Sequence, residues 1–480
     1  MTDKSKEESM LRELFRLCDD VKFDKLELPN PDDGPSASVL LIYSDGLCDV
    51  KQLESFIIPT LLEVYRNNAV PNGEALENQI KIRLNQLTSA HNGQELVRRV
   101  FQGELLLLFE PIQRTYSVNL SAPPSRETEE SNTEVSVKGP RDGFTEESSL
   151  NIALIRKRLK TNELAVHHYT FGQQTETQVS LLYMQNMINQ ETLNEIQTKL
   201  ENLNLQELTS ATQLEEVLAG FSLFPMFVYS GRPDYAVNSL LHGRFVLLTN
   251  GSPTASIAPV NLTFVLNSSE DSHSFNLFVM FTRLMRILGL LFSLLLPGFW
   301  IALVSFHQDQ LPFSLLATLV ISRQGVPLPV PLEAFVMLLL FELFREAGMR
   351  LPSTFGQTLS VVGGLIIGQA AISAGITAAG ILVVVALSVL STFTLVNQNM
   401  VGVVSILRIV ILLISGALGV FGFLICLMGL VVYLVNQRSF GIYYMEPLAP
   451  PSFAELWKIA VRTPWGKIIS VPAFLKKQKQ

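Results

Sequence analysis

Apolar positions along the chain change their spacing near residue 283. Before that point they come in short runs bounded by turn residues, the pattern of strands, alternating with stretches where they recur at i, i+3 and i+4, the helical period. From Ile287 to Val435 apolar runs dominate, with no lysine and only Asp309, Arg323, Glu333, Glu342, Arg345, Glu346, Arg350 and Arg408 as acidic or arginine residues. Backbone groups left unpaired in hydrocarbon are costly, so a bilayer span is a helix of about 20 mostly apolar residues. Residues 284–304, 378–396 and 409–435 meet that length. Residues 313–321 are apolar over half a span, and the SRQGVPLPVP that follows (322–331) breaks any continuous helix with its prolines; a re-entrant or interfacial segment is predicted there. Residues 332–344 then return to the side where Arg345 and Arg350 lie. The run 409–435, with Gly416, Gly419, Gly422 and Gly429, is either one tilted helix or a broken pair, so four to six spans are expected.

The polar part carries a faint internal repeat. SVLLIYSDGLCDVKQL (38–53) aligns with VSLLYMQNMINQETL (179–193), and VRRVFQGELLLLF (97–109) aligns with VNSLLHGRFVLLT (237–249), pairing Gly103 with Gly243 at one shared offset. Each copy reads strand, helix, strand. The alternative is two ordinary α/β segments that happen to match. The fold class predicted is α/β plus α-helical membrane: a cytosolic tandem α/β domain of two related subdomains, then a multi-span transmembrane helical domain and a short basic C-terminal tail. The boundaries are an N-terminal extension (1–35), a first α/β subdomain (36–120), a proline-bearing acidic linker (121–135), a second α/β subdomain (136–282), the transmembrane domain (283–436) and the tail (437–480).

Charge narrows the functional classes. The net charge of −7 and the lack of a basic face argue against nucleic acid. Cys18, Cys48 and Cys426 are too few and scattered for a disulfide framework or a zinc site, and no metal is expected. Residues 1–16 are charged without an apolar core, so no signal peptide is expected. Arg283 and Arg286 precede the first span, the loop 305–312 carries only Asp309 and His307, and the tail holds Arg462, Lys467, Lys476, Lys477 and Lys479. The positive-inside bias therefore puts the α/β domain and the tail in the cytosol, which requires an even number of crossings. Residues 139–143, GPRDG, lack the spacing and the Lys-Ser/Thr ending of a phosphate loop; a structural turn and an interface helix are expected instead.

Among the membrane charges, Glu342 lies within reach of Arg345 and Glu346, with Arg408 expected at the same cytosolic level, so an ion-pair cluster is predicted. Glu333, beside the proline-rich loop and Arg323, is open to a ligand or mouth role and to a structural one. Residues 357–375, QTLSVVGGLIIGQAAISAG, differ from the other spans. At about 100° per residue, Gly364, Gly368, Ala371 and Gly375 form a small-residue packing face. The opposite face holds Leu359, Val362, Ile366, Gln369 and Ser373, an apolar ring followed by an amide and a hydroxyl, as in a channel gated by dewetting. A buried central helix whose Gln369 satisfies a neighbour is the alternative, and the pattern alone favours it.

GPRDGFTEESSLN (139–151), Arg232-Pro233-Asp234, Gly251-Ser252-Pro253, SRQGVP (322–327), Glu333-Ala334, REAGMRLP (345–352), GQTLSVVGGLIIGQAA (356–371) and RSFG (438–441) together resemble the A subunit of the GerA family of spore germination receptors. The resemblance runs from about residue 38 to 465. It implies a nutrient-gated receptor in the spore inner membrane, with N-terminal domain and tail on the core side. It also implies a transporter-like B subunit that binds the germinant, a lipoprotein C subunit, and an A subunit forming a ring-shaped channel that releases cations. With it, the pore reading of residues 357–375 becomes the favoured one. No cofactor is expected. No Ser/His/Asp or Cys/His set is recognisable, so a non-enzymatic subunit is predicted; a passive scaffold whose partner does the transport is the rival.

Overall fold

The computed structural model describes residues 6–28, 37–67, 84–87, 93–109, 114–124, 138–350, 368–451 and 475. The first α/β unit comprises α1 (Lys6–Leu14), β1 (Val21–Leu28), β2 (Ala37–Ser44), α2 (Val50–Gln52), a π turn (Leu53–Ile57), α3 (Ile58–Asn67), β3 (Asn85–Leu87), α4 (Gly93–Val100), β4 (Glu104–Phe109) and β5 (Arg114–Asn119). The second has α5 (Ser148–Arg156), β6 (Leu164–Phe171), β7 (Thr177–Met184), α6 (Gln190–Glu201), α7 (Ala211–Ala219), β8 (Val228–Ser230), α8 (Pro233–Leu241), β9 (Phe245–Thr249), β10 (Ala255–Ala258) and the short α9 (Leu262–Val265).

The two sheets have the same strand order, β1-β2-β4-β5-β3 and β6-β7-β9-β10-β8, with every neighbouring pair antiparallel. Register repeats as well: Val39 faces Phe109 as Val179 faces Thr249, both numbers raised by the same 140. Gly103 (φ +88°) and Gly243 (φ +82°) end the helices that precede β4 and β9 in the left-handed region. At Gly103 a Cβ would stand 2.5 Å from the Leu47 carbonyl oxygen, so only glycine lets strand and turn approach. Residues 21–28, placed above in an N-terminal extension, are the edge strand of the first sheet; their charges point outward from a strand whose two ends are buried.

Helix α5 joins the units. Its Ala153 packs in the core of the first, while Ile152, Leu154 and Ile155 pack in that of the second. Arg156, fully buried, donates Nε and Nη2 to the Asp20 carboxylate at 2.8 and 2.7 Å and lies 4.1 Å over the Phe101 ring. The 139–151 motif serves this junction: Arg158 donates to Asp142 at 2.7 Å, and Asn151 accepts the Thr145 N–H at 2.8 Å.

The apolar module comprises α10 (Asn276–Phe306), α11 (Phe313–Ser322), α12 (Val330–Arg350), α13 (Gly368–Ser373), α14 (Ala379–Thr392) and α15 (Gln398–Asn436). Among the described residues α10 and α15 are long and apolar enough to cross a membrane. The 378–396 run falls short of the span expected of it, because α14 has 14 residues. Ala378 stays extended with its N–H bound to Glu333 at 3.1 Å, and after Thr392 the N–H groups of Phe393, Thr394 and Leu395 bond three residues back, ending the helix.

Contacts between side chains give the directions of these helices. Positions 298 and 306 of α10 meet 411 and 419 of α15, so the first leg of α15 runs parallel to α10. Gly419 breaks α15 at φ +66°, ψ −148°. A Cβ on Gly422 would lie 2.7 Å from the Ile414 carbonyl oxygen, whereas eight residues of straight helix span about 12 Å. The chain therefore doubles back at Gly419, Phe423 meets Phe299 with ring centroids 5.4 Å apart, and the long run is a broken pair. Pro331 against Gly416, followed by Arg345 against Ser405, sets α12 antiparallel to that first leg. Ser388 against Ser293 and Ser391 against Gly289 set α14 antiparallel to α10.

Candidate functional site

Two charge clusters sit in the apolar module on the helix that carries both glutamates. At the start of α12, Glu333 is fully buried. Its Oε1 accepts from Arg323 Nη2 at 2.9 Å, and its Oε2 accepts from the Ala378 N–H at 3.1 Å and from Thr377 Oγ1 at 3.5 Å. A carboxylate removed from water must be repaid by such bonds, and here a cation and a helix N-terminus supply them. Arg323 also donates to the Leu328 carbonyl at 3.2 Å, bracing the proline-rich loop. The SRQGVP and Glu333-Ala334 motifs are thus one unit, which clasps the turn between α13 and α14.

Further along α12, Glu342 accepts from Arg408, fully buried on the first leg of α15, and from Arg345 at 2.5 Å. Arg408 Nη1 donates to Ser388 Oγ at 3.2 Å, that hydroxyl donates to the Ser293 carbonyl at 2.9 Å, and Arg345 donates to Ser405 Oγ at 2.8 Å. The structure therefore brings Glu342, Arg345 and Arg408 together. Ser293 stands seven residues beyond Arg286 on α10, about 10 Å along the axis, and Arg408 stands ten residues into α15, so the cluster lies within the apolar module rather than at its start. The serines were not singled out from the sequence; hydroxyls within apolar runs were the available signal.

Of the pore candidates, Leu359, Val362 and Ile366 lie outside the described residues, as does Gly364. On α13, Gly368 and Ala371 are buried whereas Gln369 and Ser373 are exposed. A Cβ on Gly368 would stand 3.4 Å from Leu382 of α14, and Gly375, half-buried at φ +65°, lies against the Gly325 carbonyl. The small-residue face is thus turned into the protein and the amide and hydroxyl away from it.

A third cluster, which the sequence did not reveal, lies where the second α/β unit meets α10. Arg232 grips Asp234 through Nε and Nη2 at 3.1 and 2.8 Å and also reaches Glu270. His273 Nε2 is 2.8 Å from Asp234. Glu270 and Asp271 belong to a 3-10 turn (Ser269–Ser272), and Asp271 accepts two bonds at 2.8 Å from Arg286 and one at 3.3 Å from Arg283. Burial raises the affinity of the Asp271 carboxyl for a proton, but the bonds and charge of Arg286 outweigh it and hold the group below the usual carboxylate range. The chain beyond α15 returns to the same unit: Ser439 Oγ accepts the Val260 N–H at 3.0 Å and donates to the Met226 carbonyl at 3.2 Å, and Phe440 packs edge-on against Phe227 and Phe245. The RSFG motif is therefore part of the second unit's core.

The profile of the Bacillus/Clostridium GerA spore germination protein family matches residues 9–474. Spore germination protein XA of Bacillus anthracis is 44% identical over 467 residues, 97% of this chain and 94% of that protein. Spore germination protein KA of Bacillus subtilis is 30% identical, over 91% of this chain and 81% of that protein. The crystal structure of the N-terminal domain of the A subunit of the Bacillus megaterium spore germinant receptor GerK3 aligns at a TM-score of 0.40 and 23% identity, covering 53% of this chain and 94% of that one.

Proposed function

The chain belongs to the Bacillus/Clostridium GerA spore germination protein family, and from that premise we propose that it is the A subunit of a nutrient-gated germination receptor and a ligand-gated cation channel. In this reading copies assemble as a ring in the spore inner membrane, with the α/β units and the tail on the core side. They act with a transporter-like B subunit that binds the germinant and a lipoprotein C subunit. The protein is not an enzyme. In this reading the chain crosses the membrane an even number of times, which returns it to the α/β side.

The observation that carries the channel reading is the two-sided exposure of α13. Gly368 and Ala371 face the protein while Gln369 and Ser373 face outward, so a ring of copies would present the amide and hydroxyl to a shared axis. Glu333 and Arg323 hold the turn at the end of that helix and act as positioning residues for it. Conductance of the purified protein in planar bilayers tests the reading. Val362→Ala should leak cations without germinant, and cysteines at 362, 369 and 373 should react with water-soluble thiol reagents mainly after opening. Reaction at 364 and 368 with protection at the other three would reverse the helix, and absence of any current from a stable oligomer would favour the non-conducting scaffold.

A further inference from the structure

We propose that the loop at residues 220–223 of the second α/β unit dips into the headgroup layer of the bilayer and buries Phe221 among lipids. Phe221 is 104% exposed, an aromatic ring that the fold leaves fully uncovered. Its place in the fold says what covers it. Gly220 closes α7 at φ +68°, turning the chain away from the unit, and the next residues are fastened to the end of the last apolar helix. Ser222 Oγ accepts from Gln437 Nε2 at 3.1 Å, the Leu223 N–H donates to Tyr433 Oη at 2.9 Å, and the Phe224 and Tyr433 rings lie 6.1 Å apart.

These bonds set the loop's depth. Tyr433 lies one turn before the end of α15 at Asn436 and fourteen residues from the break at Gly419, about 21 Å along the axis against a hydrocarbon core of about 30 Å. Tyrosines with an apolar ring and a wet hydroxyl concentrate at that boundary. Val432 and Val435, which flank Tyr433 in sequence, are exposed, so the helix keeps apolar surface up to its end. Arg438, exposed just past the helix end, supplies a cation at phosphate level. A soluble unit with a bare phenylalanine held beside a spanning helix is thereby pinned to the membrane surface at a third point, besides its links to α10 and α15.

The inference rests on the reading that α10 and α15 span the bilayer, and the test separates the two. With Trp300, Trp457 and Trp465 replaced by Phe, Phe221→Trp is reconstituted in phosphatidylethanolamine/phosphatidylglycerol liposomes containing lipids brominated near the carbonyls or near the chain ends. Emission at 221 should be quenched at least twofold more by the shallow bromines than by the deep ones, and little by aqueous iodide. Phe292→Trp, an exposed position on α10, is the control. If it escapes both bromolipids, the spanning reading fails and the loop proposal with it. If it is quenched while 221 answers to iodide alone, the loop lies in water; if 221 answers to neither, a protein surface covers it; either result overturns the proposal. Should the tryptophan replacements destabilise the chain, a nitroxide on Phe221→Cys in a background without the native cysteines, read by oxygen against nickel-chelate collisions, decides the same question.

Discussion

Removing the carboxylate of Glu342 strands a guanidinium inside the apolar module. Arg408 is fully buried, and among the described residues its bonds go to Glu342 and, at 3.2 Å, to Ser388; Nε has none. Breaking a buried pair from one side costs about 3–5 kcal/mol, since the remaining charge has left water without compensation. Against a domain stability of about 5–15 kcal/mol, Glu342→Ala should lower the folded-to-unfolded ratio by roughly two to three and a half decades. Arg345 is partly exposed, and its loss leaves the Glu342–Arg408 pair intact, so Arg345→Ala should cost no more than about 1 kcal/mol. Replacing both buried partners, Glu342→Leu with Arg408→Met, should recover most of the loss, because an apolar pair of similar volume carries no desolvation penalty. The assay is the yield and thermal midpoint of detergent-extracted protein for the three variants, beside bilayer conductance. A Glu342→Ala protein with normal yield and midpoint but no conductance would refute the structural argument and give Glu342 a role in ion passage.

Other expectations concern backbone, protonation and thiols. Gly419→Ala should destabilise by about 1–3 kcal/mol, as its φ/ψ region is open essentially to glycine, whereas Gly429→Ala, with open space around the Cβ, should stabilise by up to about 1 kcal/mol; stabilisation by both in thermal melts would mean an unbroken helix. Burial holds the His168 and His242 imidazoles below their usual range of about 6.5, so their share of stability is present above that pH and is lost as pH falls through their folded values. The thermal midpoint should accordingly drop as pH falls below about 6.5, less steeply in His242→Gln; a flat profile in the parent protein contradicts this. Burial also pushes the Cys18 thiol up to about 11 and Cys48 up to about 12, so neither should react with maleimide at pH 7 until denaturant is added, and labelling of either in the folded protein within minutes would show that the cores open.

Much of the α/β architecture was legible because duplication preserved both pattern and register. The pairs Val39–Phe109 and Val179–Thr249 keep the offset that the aligned segments carried. Long-range bonds were not legible. Residues 378–396 have the composition of a span, but Glu333, 45 positions earlier, takes the Ala378 N–H and sets where α14 begins. Four glycines marked the run 409–435 as breakable without indicating which one breaks; Gly419 does, where it packs against Phe306 and His307 at the end of α10. Asp271 sits in an acidic, serine-rich stretch that reads as a solvated turn, and only the fold sets it between Arg283 and Arg286. RSFG carried no periodicity that would have placed Phe440 in a core more than 200 residues upstream in sequence.

The second α/β unit is tied to the apolar module at both of the module's ends in sequence: at α10 through Asp271 and at the foot of α15 through Ser439 and Phe440. Since α10 and the second leg of α15 also pack on each other, a tilt of the unit cannot load one without the other. Contacts continue from α10 to α14 through Ser293 and Ser388, to α15 through Arg408, and to α12 through Glu342. The other end of α12 carries Glu333, which holds the turn following Gln369 and Ser373. The contacts are thus contiguous from the α/β unit to the turn behind α13, by way of the buried salt bridges on α12.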